Sequence, residues 1–150
     1  MKKIFVLKGK SETGKTSKIN QTAEWIINNY GSPNTIGFDT SNYLKDTNGI
    51  LTIKNLSIGF NSSGDNEWEV KKIDNLKLSN DDRPDIIICA CRTKGKGRKY
   101  INDNYNYAKG WLKVFIDVEE HSKSDFLNQG LRDTRVLNEL QTWLIGLEKL

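Results

Sequence analysis

The chain has 150 residues, 36% hydrophobic and 28% charged, a size and balance that predict one globular domain and exclude a disordered segment. Its longest apolar run, Ile86 to Cys91, is far too short to cross a bilayer, so no membrane partner is expected. A formal charge of +4 permits contact with nucleic acid without requiring it, because acidic residues are spread throughout.

At the N-terminus Met1-Lys2-Lys3 has the basic start of a signal peptide. The apolar stretch Ile4-Phe5-Val6-Leu7 is too brief for one, and Lys8-Gly9-Lys10 follows without a small-residue cleavage site, which predicts a cytoplasmic protein. Lys3–Leu7 reads instead as a buried strand. Lys15–Tyr30 carries Ile19, Ala23, Ile26, Ile27 and Tyr30 at the spacing of one helix face, and Gly31 with Ser32-Pro33 stops it. Thr35–Phe38 is a second short strand ending at Asp39. Two strands follow, Ile50–Lys54 and Ser57–Asn61, alternating with period two and paired as a hairpin around Asn55. Asp65 is placed to cap a helix over Glu67–Leu76, with Trp68, Ile73 and Leu76 inward.

Ile86–Cys91 is uninterruptedly apolar between turn signals, as a central parallel strand is when helices cover both its faces. Cys89 and Cys91 are the only cysteines and point to one face of this strand. They cannot bridge each other without distortion, so buried free thiols in a reducing compartment are expected. With His121 they supply too few ligands for a metal site of their own. Gly95 and Gly97 read as a loop, followed by a weak helix near Arg98–Ala108. Leu112–Val118 is the last strand, and Ser124–Leu150 a helix striped with Val136, Leu137, Leu140, Leu144 and Leu147. The four tryptophans read as core or helix-packing residues. Strands alternating with helices imply an α/β fold: a three-layer αβα sandwich on a mostly parallel sheet of about five strands, with room for an antiparallel hairpin strand. Ligands in such sheets bind beyond the carboxyl ends of the strands, so the segments Gly9–Thr16, Asp39, Asn61–Asp65 and Arg92–Lys99 should gather on one edge.

The first of these segments, Gly9-Lys10-Ser11-Glu12-Thr13-Gly14-Lys15-Thr16, matches Gly-x-x-x-x-Gly-Lys-Thr between a strand and a helix. Glycines let successive backbone N–H groups curl towards phosphate oxygens, and the helix start, with Ser17, adds its positive dipole end. In that arrangement Lys15 reaches the β- and γ-phosphates and Thr16 ligates Mg²⁺. On this motif the chain resembles the P-loop NTPases, strictly over Lys3–Tyr30 and in topology beyond. The resemblance implies Mg-ATP as the bound nucleotide. Lys10 sits where the ParA/MinD-like branch carries a second lysine, but that branch has glycines where this chain has Ser11 and Glu12, so Lys10 reads as a variable loop residue.

P-loop proteins usually hold Mg²⁺ with a further acid at the end of a second strand. Ile86–Cys91 ends without one, which leaves two candidates. Asp65 follows a predicted strand, in a stretch whose spacing resembles the Asp-x-x-Gly switch of GTPases with Asn61 in the Asp position. Asp39 ends the strand after the first helix, where nucleotide kinases often hold a substrate-contacting acid. Thr93-Lys94-Gly95-Lys96 resembles the guanine-specifying motif but has Lys96 for its Asp, so adenine is the expected base. Arg92, with the basic run Lys94–Lys99, is positioned to neutralise charge on a transferred phosphoryl group. Three functions remain open: an ATP-hydrolysing protein accelerated by a partner, a small-molecule or nucleotide kinase, and a regulatory module that binds nucleotide without turning it over.

Overall fold

The computed structural model describes residues 1–11, 13–30, 34–36 and 46–148, with the backbone alone at 34–36 and 148. One six-stranded sheet organises them, in the order β2-β3-β4-β5-β1-β6. Its strands are β1 (Lys2–Lys8), β2 (Asn34–Ile36), β3 (Asn48–Ile53), β4 (Leu56–Asn61), β5 (Ile86–Cys91) and β6 (Trp111–Asp117). β4, β5, β1 and β6 run parallel to one another, while β2–β3 and β3–β4 are antiparallel. Each of the six segments read as a strand contributes one to the sheet, and its antiparallel part comprises two pairings, β2–β3 and β3–β4, rather than one.

The apolar runs of β1 and β5 are continuous because both their faces are covered. Alternate residues enter different cores. Phe5 and Leu7, with Ile86, Ile88 and Ala90, pack against Ile19, Ala23 and Ile26 of α1 (Lys15–Tyr30) and Val136, Leu140 and Leu144 of α4 (Phe126–Glu148). Ile4 and Val6, with Ile87, Cys89 and Cys91, meet Val70 of α2 (Glu67–Val70), Ile73 and Leu76 just beyond it, and Ile101 and Tyr105 around α3 (Lys96–Asn104). Asp74 ties this second face together by accepting hydrogen bonds from the hydroxyls of Tyr100 and Tyr105. Arg83 adds donation to the Tyr105 hydroxyl at 2.8 Å and to the Ile73 carbonyl at 2.8 Å.

The expected helix over 67–76 breaks after one turn. α2 gives way to a 3₁₀ helix, Lys71–Asn75, whose three residues per turn put Val70, Ile73 and Leu76 on one line into the core. Trp68 falls off that line and is 72% exposed, contrary to its expected inward placement. The cap is Asn66 rather than Asp65: its side-chain oxygen accepts from the Glu69 N–H at 2.9 Å. The glycine-punctuated basic run is a loop only as far as Gly95. Gly95 takes a φ of 109°, and Lys96 to Lys99 form the first turn of α3. Gly97 serves packing there, since a Cβ would stand 2.8 Å from a Val70 methyl. No helix among the described residues is long and apolar enough to cross a membrane.

Candidate functional site

The segment linking β1 to α1 lies over the carboxyl ends of β5 and β6. The Gly9 N–H donates to the Cys91 carbonyl at 3.2 Å, and the Val118 N–H donates to the Lys8 carbonyl at 2.8 Å. A Cβ on Gly9 would stand 2.6 Å from the Val118 carbonyl oxygen, so only glycine lets the chain pass this close. Gly14 adopts a φ of 83°, in the left-handed region that glycine enters freely, and the helix begins immediately after it. Lys15, the first residue of α1, is 6% exposed. Its ammonium folds back over the loop, donating to the Gly9 carbonyl at 2.8 Å and the Lys10 carbonyl at 2.5 Å, and lies 3.5 Å from the Thr13 hydroxyl. Burial lowers its pKa, while the nearby Asp65 carboxylate pulls in the opposite direction. The loop therefore holds a desolvated cation whose hydrogen-bond partners are neutral oxygens of its own backbone and of Thr13.

A cavity of about 350 Å³ opens beside this lysine. Thr13, Gly14, Thr16 and Ser17 wall one side; Asp46, Ser62, Gly64, Asp65 and Glu69 wall the other. The Thr16 hydroxyl stands 3.2 Å from a carboxylate oxygen of Asp46 and 3.3 Å from the Ser62 carbonyl. Asp65 reaches the site because the chain after β4 crosses directly over β5. At Gly64 a Cβ would come within 2.3 Å of the Ala90 carbonyl oxygen. The crossing sets Asp65 3.7 Å from the Nε of Arg92.

Among the residues expected here, Gly9, Thr13, Gly14, Lys15, Thr16, Ser17, Asp65 and Arg92 are brought to one edge of the sheet. Lys10 and Ser11 stand at its side, exposed, with Lys10 paired to Glu120 at 3.1 Å. Glu12 and Asp39 lie outside the described residues. Asn61 does not face the cavity as a switch residue would. It is fully buried, donates to the carbonyls of Ser63 at 3.0 Å and Glu69 at 3.2 Å, and accepts from Asn48 at 3.2 Å.

Three contributors escape a reading by motif. Asp46 belongs to none, yet the hairpin register pairs Asn48 with Asn61, so the residues before β3 must return beside the end of β4. Glu69 enters from α2. Arg132, 8% exposed, reaches from α4 to donate to the Glu119 carbonyl at 3.0 Å, its guanidinium 3.8 Å from where a Cβ on Gly14 would be. Its neighbour Asp133 pairs with the buried Lys18 at 3.3 Å, tying α4 to the start of α1.

No group of three or more His, Cys, Asp or Glu side chains among the described residues forms a metal cage. A hydroxyl with a carboxylate beside it, as at Thr16 and Asp46, is nevertheless a protein share that Mg²⁺ takes when substrate phosphates and water complete its octahedron. The residues present fit that ion. Both thiols are buried and free. Burial raises the Cys91 pKa from 9.0 to about 11, against the pull of Arg98, Lys15 and Lys8, and raises that of Cys89 as well. No family model, curated protein or solved structure matches the chain.

Proposed function

We propose that the chain is a P-loop protein of three-layer αβα build that binds a nucleoside triphosphate with Mg²⁺, ATP foremost, and hydrolyses it. The observation that carries this reading is the state of Lys15: a cation almost closed off from water, held by neutral oxygens, beside a cavity whose other wall brings hydroxyl and carboxylate groups together. A buried charge without a counter-ion is costly. A phosphate in the cavity would relieve that cost, with the backbone and dipole of the α1 start adding attraction. Thr16 and Asp46 would then position the metal, and Mg²⁺ would supply charge neutralisation between the phosphates. Arg92, held by Asp65 at the cavity rim, would approach the terminal phosphate. The two buried thiols fit a reducing, cytoplasmic setting.

Transfer of the phosphoryl group to an acceptor is a second reading, favoured by the cationic hollow that Lys10, Arg92 and Lys94 form beside the loop.

Thermal denaturation with and without Mg-ATP tests the core of the proposal. A ligand at a hundredfold over its Kd adds about 2.7 kcal/mol, or a rise of roughly 5–10 °C in Tm for a chain of this size. Lys15→Ala should keep the native circular dichroism and lose that rise. A full Tm rise in the variant would remove the site. Phosphate release against transfer to added nucleosides and nucleotides separates hydrolysis from kinase chemistry.

A further inference from the structure

Three hollows follow one another along the carboxyl edge of the parallel strands. The cavity beside Lys15 shares Gly64 and Asp65 with a second of about 490 Å³. The second shares Arg92 and Lys94 with a third of about 410 Å³, which ends at Lys10 and Ser11. The outer two are built differently from the first. Trp68, the side chain expelled from the core by the 3₁₀ turn, lines the second, and the Lys72 ammonium sits over its ring 4.5 Å from the centroid. Lys94 and Lys96 line the same hollow, and neither has a carboxylate partner among the described residues. The acids nearby are engaged, Glu67 with Lys71 at 3.2 Å and Asp65 with Arg92 at 3.7 Å.

An exposed indole and unpaired lysines sharing one concave wall suit a ligand that is flat and aromatic at one end and anionic at the other. Cations alone would suffice for a bare phosphate, and the ring alone for an apolar ligand. We propose that these two hollows bind a nucleotide unit, its base stacked on Trp68 and its phosphate between Lys94 and Lys96. The unit is either a free nucleoside monophosphate or the 5′-phosphorylated end of a single strand, two sources with the same chemistry. Base–aromatic stacking and lysine–phosphate attraction both tolerate any base, so little sequence preference is expected. The site uses none of the hydrogen bonds of Lys15 and stands whether or not the loop takes a triphosphate.

The test titrates full-length protein with a nucleoside monophosphate, a short 5′-phosphorylated oligothymidylate, the unphosphorylated nucleoside and inorganic phosphate, following tryptophan fluorescence and calorimetry. Either phosphorylated nucleotide should quench fluorescence and bind at least tenfold tighter than nucleoside or inorganic phosphate. Binding by the mononucleotide identifies the free form; binding by the oligonucleotide alone, weakening steeply with salt, identifies the strand end. Trp68→Leu should lose most of the quench and weaken binding about tenfold, as loss of one stacked base does. The Lys94→Glu/Lys96→Glu double variant should weaken it at least as much. Lys15→Ala should leave this binding unchanged, so failure of the triphosphate site and failure of this one are read separately. Affinity equal for inorganic phosphate and nucleotide, or undiminished in Trp68→Leu, would overturn the proposal, as would no binding by either nucleotide.

Discussion

Two of the acids that line the cavity beside Thr16 are held differently. The Asp46 carboxylate is within hydrogen-bond distance of the Thr16 hydroxyl, whereas Asp65 spends its charge on Arg92. Asp46→Asn should therefore raise the Mg²⁺ needed for half-maximal ATP stabilisation by about tenfold, the scale at which partners of metal ligands act. Asp65→Asn should leave that requirement unchanged and lower phosphate release, because Arg92 loses its anchor. Equal effects of the two substitutions on the Mg²⁺ midpoint would contradict this division. At this scale the sequence is informative where one residue type is demanded by backbone geometry or charge, as at Gly9, Gly14 and Lys15. It is silent on Asp46 and Arg132, which enter the site through pairing and packing with segments far away in the chain.

Glycines of the connecting segments separate close backbone approach from mere permissiveness. Gly64→Ala would drive a methyl onto the Ala90 carbonyl, a backbone atom that cannot step aside. A loss of roughly 2–4 kcal/mol in urea-unfolding stability is expected, with the 64–65 crossing displaced. Gly146→Ala in α4 meets nothing within 4 Å and should raise stability by about 0.5–1 kcal/mol. Similar unfolding midpoints for the two variants would refute this reading of the crossing. The elements themselves are largely legible: β1, α1, β4, β5, β6 and α4 follow from apolar runs and helical stripes close to their expected bounds. The segment 67–76 misleads because Trp68 looks like a core residue, while the spacing of Val70, Ile73 and Leu76 by threes already describes the tighter helix. Lys96–Lys99 misleads because Gly97 suggests a turn when it provides a surface against Val70.

Across the whole molecule the two cores bind protons differently from the unfolded chain. Burial holds the Cys91 thiol near 11 rather than 9.0, raises Cys89 too, and with the Asp74 hydrogen bond pushes Tyr100 up to about 12. The folded chain thus keeps protons that the unfolded chain releases, so stability is full below pH 9 and declines as pH climbs from 9 towards 11. Lys15, lowered by burial, works in the opposite direction and offsets part of the decline. Urea midpoints should fall between pH 8.5 and about 10.5, and Cys91→Ser should flatten that fall; a midpoint rising over the range would show that the lysines dominate. The order of the sheet carries a different consequence. Lys3 pairs with Ile86 on one side and Leu112 on the other, so β1 waits for two strands that lie far along the chain from it. Such distant pairings make for slow folding. The Gly9–Lys15 turn takes its supports from Cys91, Val118 and Arg132, so its shape is a product of the assembled sheet and of α4 rather than of its own eight-residue motif, and it forms only once those distant segments are in place.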